Sequence, residues 1–113
     1  MTVNDYLARI TESKDISEDM RSVALMIYWH ILRLYENIPE PDMAPSPDGD
    51  LLYVWESLNH HFEVEILAKE DRVELFYWNR LTDETREGYL TVPEFLELDK
   101  NSLLSKLELF MEN

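Results

Sequence analysis

Hydrophobic positions along the chain change their period near Asp50: before it they recur every three or four residues, and after it they alternate. Met1 to Lys14 predicts a short opening helix. Thr2 with Asp5 three residues on suits a capping arrangement, and Val3, Leu7 and Ile10 share one side. Asp15 or Ser17 then caps a longer helix, with Glu18 and Asp19 near the positive end of its dipole. It runs to about Asn37, where Pro39 and Pro41 stop it.

This long helix is apolar over a wide arc. Met20, Val23, Ala24, Ile27, Ile31, Leu34 and Ile38 form one stripe, and Leu25, Tyr28, Trp29, Leu32 and Tyr35 form a second beside it. The polar remainder is narrow: Asp19, Ser22, His30, Arg33 and Asn37, interrupted by Met26. Such a helix is covered on more than one side, by a sheet plus another helix or by a sheet plus a second subunit.

Pro39 to Asp50 reads as a proline-rich linker (Pro39, Pro41, Pro45, Pro47) closing on an Asp48-Gly49 turn signal. Four strands are then expected: Leu51 to Glu56, Phe62 to Leu67, Arg72 to Trp78 and Gly88 to Val92. The connections Ser57 to His61 and Ala68 to Asp71 suit hairpins, so the first three strands form an antiparallel meander; Asn79 to Glu87 is a polar loop. Pro93 opens a C-terminal helical region that restarts at Asp99 or Ser102 and carries Leu103, Leu104, Leu107, Phe110 and Met111 as a stripe. The expected architecture is α+β, a long central helix and a C-terminal helix on a small antiparallel sheet of three or four strands. One domain is expected over residues 1–113: helical to 38, linker 39–50, sheet 51–92 and helical 93–113.

Charge changes the picture most. Ten Lys and Arg face 24 Asp and Glu, a net charge of -14, so phosphate-directed nucleic-acid binding and docking on an anionic membrane are disfavoured. With 45% hydrophobic residues the chain is too apolar for a disordered acidic tail. Cysteine is absent, which removes disulfides, thiol nucleophiles and thiolate metal ligands. Asn4, Asp5, Arg9 and Glu12 break any signal-peptide core, and no apolar run approaches a membrane span, so a cytoplasmic protein is expected.

The stretch Pro45-Ser46-Pro47-Asp48-Gly49-Asp50-Leu51-Leu52-Tyr53-Val54-Trp55, followed by Phe62-Glu63-Val64-Glu65-Ile66, resembles an element of small bacterial proteins of unknown function. In them a Pro-x-Pro-Asp-Gly turn leads into a strand ending in Trp. Asp50 stands where a second Gly is usual, and Val54 where Glu often precedes the Trp. The resemblance implies a hairpin with Trp as its anchor, and no catalytic residue.

Candidate chemistry is sparse. His60 and His61 are adjacent, so on a strand they point to opposite faces, and no third metal ligand stands at a recognisable spacing beyond Glu63. His30 falls at the edge of the polar stripe. No serine sits in a Gly-x-Ser-x-Gly elbow, and two glycines, Gly49 and Gly88, make no phosphate-cradling loop. Glu63, Glu65 and Glu74 have the spacing of a solvated strand face. Neither an enzyme nor a cofactor or metal is expected.

The sheet's outer face is the better candidate. Phe62, Val64, Ile66, Val73, Leu75 and Tyr77 alternate inward, which turns Glu63, Glu65, Glu74, Phe76 and Trp78 outward. Tyr53 and Trp55 share a face of the first strand and are expected to join them. Aromatic rings amid carboxylates suit a protein partner with a basic surface. The alternative is that the C-terminal helix covers those rings. The expected function is an interaction module of the antitoxin, immunity-protein or inhibitor kind, monomeric or weakly dimeric. Nucleic-acid mimicry and self-association through the long helix are the other readings.

Overall fold

The computed structural model describes residues 18–45 and 51–111. The expected opening helix, the cap at Asp15 or Ser17 and the Asp48-Gly49 turn lie outside the described residues. Helix α1 (Glu18–Leu34) carries three Leu, two Met and two Arg, all strong helix formers. It ends before Asn37: Tyr35 still bonds back to the Ile31 carbonyl at 2.8 Å, but Ile38 closes a tighter turn onto Tyr35 at 3.2 Å. Pro39 keeps Ile38 out of the helical region and has no N–H to carry the ladder further.

The sheet has five strands in the order β1 (Asp42–Pro45), β2 (Leu51–Glu56), β3 (His60–Leu67), β4 (Arg72–Asn79) and β5 (Glu84–Thr91), every neighbouring pair antiparallel. This confirms the α+β class and corrects the strand count. The expected linker contains β1, an edge strand that pairs Met43 with Tyr53 and buries Met43 against the core. Proline is tolerated there because an edge strand has a side without ladder bonds. β5 also begins four residues earlier than expected. Glu84 to Glu87 are polar, yet they pair with Phe76 to Asn79, so the connecting loop shrinks to Arg80–Asp83. Asp83 there, like Asp71 before β4, holds a positive φ.

One face of the sheet carries the core. Phe62, Val64, Ile66, Val73, Leu75 and Tyr77 point to it as expected, and α1 lies over it with Ala24, Ile27, Tyr28 and Ile31 buried. Rings of Tyr28, Tyr53, Trp55 and Phe62 follow one another at centroid distances of 5.7, 6.3 and 6.3 Å. His30 is a correction. It is buried rather than at a polar edge, with Phe95 edge-on at 5.6 Å and its Nε2–H donating to the Leu98 carbonyl at 2.8 Å. The segment after the short helix α2 (Val92–Leu96) folds over that side of α1 and supplies the carbonyl.

A reciprocal capping box starts α2. Glu94 N–H donates to Thr91 Oγ1 at 3.2 Å and Thr91 N–H to the Glu94 carboxylate at 2.8 Å. Ser102 then caps a 3-10 helix, Leu103–Phe110, where an α-helical restart was expected. Its buried residues Leu104, Leu107 and Phe110 stand three apart, the spacing that lines up on a three-residue turn.

Candidate functional site

Strand register sets out the outer face in ladders. One runs Asp42, Val54, Glu63, Phe76, Glu87; its neighbour runs Ala44, Leu52, Glu65, Glu74, Tyr89. A third, at the hairpin end, runs Glu56, His61, Trp78, Thr85. Glu63, Glu65, Glu74, Phe76 and Trp78 are therefore brought together as expected. All five are partly exposed.

Tyr53 and Trp55 are not part of it. They pair with Val64 and Phe62, so they face the core, 0% and 2% exposed. The Tyr53 hydroxyl donates to the Ala24 carbonyl on α1 at 2.6 Å, and the Trp55 indole N–H to the Pro39 carbonyl at 2.9 Å. Both rings tie the sheet to its helical layer. Leu52 and Val54 take the outer positions on β2.

Nor does the C-terminal segment cover the outer rings. A Cβ built on Gly88, opposite Leu75, would lie 3.5 Å from Leu103 Cδ2, so Leu103 sits on the core side. Phe110 meets His60 edge-on at 6.3 Å, and Lys106 Nζ stands 4.8 Å from the centre of the Tyr77 ring. These contacts place the leucine stripe on the core side of the sheet. Among the described residues no helix lies on the outer face.

Two participants escaped the sequence reading. Tyr89, 59% exposed, lies between the inward Gly88 and Leu90, and that alternation is the signal that marks it. Glu87 was masked by its place in an expected loop. Glu63, Glu65, Glu74 and Glu87 line a shallow depression of about 140 Å³ around Phe76 and Tyr89.

The carboxylates are held by local contacts. Tyr89 OH donates to Glu87 at 2.8 Å, and that bond raises the phenol's pKa. Arg72 donates to Glu74 at 3.3 Å. His61 Nε2–H donates to Glu63 at 3.0 Å, while Nδ1 lies 3.3 Å from Glu56. Glu56 also binds Arg80, and these two partners, Arg80 first, hold its carboxyl below the usual range. Arg80 stacks 5.1 Å from the centre of the Trp78 ring, and Trp78 N–H donates to Asp83 at 3.0 Å, so that ring is fixed on both sides.

His60 and His61 do point to opposite faces. His60 stacks on Tyr77 with Nδ1 3.0 Å from its hydroxyl. Among the described residues no three His, Asp or Glu side chains are arranged to hold a metal ion. No helix among them is long and apolar enough to cross a membrane.

No family model matches the chain, and neither curated proteins nor solved structures yield a match.

Proposed function

We propose that the protein is an interaction module that docks a basic protein surface on the outer face of its sheet. The observation that carries this reading is the composition of that face, which no described helix covers: Phe76, Trp78 and Tyr89 stand among Glu63, Glu65, Glu74 and Glu87 on adjacent ladders of one sheet. A face that served only to solubilise the fold has no need of three large rings. Rings on a scaffold lose little conformational entropy when they are covered, and the carboxylates around them select a cationic partner. The reading is of a binding protein of the antitoxin, immunity-protein or inhibitor kind.

The test is capture on immobilised protein, with Glu63, Glu65 and Glu74 together replaced by Gln as the control. A stoichiometric basic protein that the wild type retains and the folded triple variant releases supports the reading. A partner held equally by both contradicts it. A second reading, self-association, has its own observation: Trp29 and Met26 on α1 are 59% and 46% exposed, one helical turn apart.

A further inference from the structure

We propose that the depression around Phe76 and Tyr89 is an arginine slot, a place for a guanidinium presented by the partner in preference to an ammonium. It rests on the docking face proposed above and adds which cation that face selects. The register places Phe76 between Glu63 and Glu87, and Tyr89 beside Glu74, so each ring has a carboxylate next to it both across the ladder and along its own strand. At about 140 Å³ the depression holds a planar head group and part of its stem, and is too small for a cofactor-sized ligand.

Fixed geometry favours guanidinium. The Tyr89 hydroxyl donates to Glu87 at 2.8 Å, which locks an exposed ring face and a carboxylate into one unit. Guanidinium uses both at once, laying its flat face on a ring while its fork of N–H groups meets a carboxylate. An ammonium offers a point charge with no flat face and gives up more hydration on entering. On the far side, His61 meets the Phe76 ring edge-on at 6.2 Å and closes that flank. At the other end Arg72 donates to Glu74 at 3.3 Å, so the chain's own guanidinium already sits on one carboxylate of the group. That contact offsets part of Glu74's charge. Glu63 and Glu87, on either side of Phe76, are the attraction for an incoming cation, and the lining contains no Lys or Arg.

The experiment is an NMR titration of the full chain at low ionic strength with N-acetyl-arginine methylamide and, separately, N-acetyl-lysine methylamide. The expected result is a saturable response centred on Phe76, Glu87 and Tyr89, with the arginine probe about two- to fivefold tighter. Tyr89→Ala and Glu87→Gln, both at exposed positions, should each erase the preference while leaving signals of the core unchanged. Equal affinity for the two probes, or shifts scattered over the whole acidic surface, would overturn the slot. Should the probes prove equivalent while partner capture still depends on the three glutamates, the slot is lost and the docking face stands.

Discussion

Trp55 sits at the end of β2 with its ring in the core and its N–H bonded to Pro39, the residue that leads into β1. It therefore fastens an edge strand with few contacts of its own. Trp55→Ala should cost about 3–5 kcal/mol, read as a lower urea midpoint. A change within error would mean that the ring is dispensable to the core. Tyr53 makes a pH prediction. Burial pushes its hydroxyl far above the usual phenol range. At alkaline pH the unfolded chain releases that proton first, so the folded state binds more protons and stability falls as pH rises. Below the usual phenol range nothing is lost. Stability should thus be level to about pH 9 and decline above about pH 10. Tyr28, Tyr35 and Tyr77 are also raised by burial and share in the decline. Tyr53→Phe should cost about 1 kcal/mol at neutral pH and make the alkaline decline shallower. An unchanged alkaline slope would contradict the assignment.

Among the elements, β3 and β4 were legible because each buries one face and exposes the other, and the alternation survives in the sequence. β1 and the first half of β5 were not. Both are edge strands, and their residues bury too little to leave a period: Asp42 and Ala44 of β1 are exposed on either side of Met43, and Arg86 on the core side of β5 is exposed. The face of Tyr53 and Trp55 was illegible for the opposite reason. Leu51 to Trp55 is apolar at every position, so nothing marks inside from outside until Tyr53 is seen paired with Val64. Five residues of the candidate site, on β3 and β4, could be read in advance, and Tyr89 and Glu87 needed the β4–β5 register. The β3–β4 register sets Glu65 directly opposite Glu74. Like charges at opposed positions destabilise a sheet, and the contact from Arg72 to Glu74 offsets part of this. Glu65→Gln should raise stability by about 0.2–1 kcal/mol in low salt, and the gain should shrink in high salt as the charges are screened. A loss of stability would show that Glu65 is a structural residue.

For the molecule as a whole, one face of the sheet is spent on the core and the other is left with charge and rings. Apolar residues also surface on α1, where Trp29 and Met26 offer a patch to a second copy. A net charge of -14 opposes that contact unless salt screens it. Sedimentation at two ionic strengths should find a monomer in low salt and, at most, a weak dimer in high salt. A tight dimer in low salt would contradict this and move the functional surface to α1.

If the outer sheet face is where a basic partner docks, long-range attraction governs the encounter and ring contacts govern how long the complex lasts. Association with the captured partner, followed by stopped flow across a range of ionic strengths, tests this most directly. The on-rate should fall steeply as salt rises, because exposed charges are screened over about 8 Å at physiological salt, while the off-rate changes little. Replacing Glu63, Glu65 and Glu74 together by Gln should flatten that dependence, and Trp78→Ala should act mainly on the off-rate. Salt-insensitive association that survives the triple replacement would contradict the docking face and leave its carboxylates a solubilising surface.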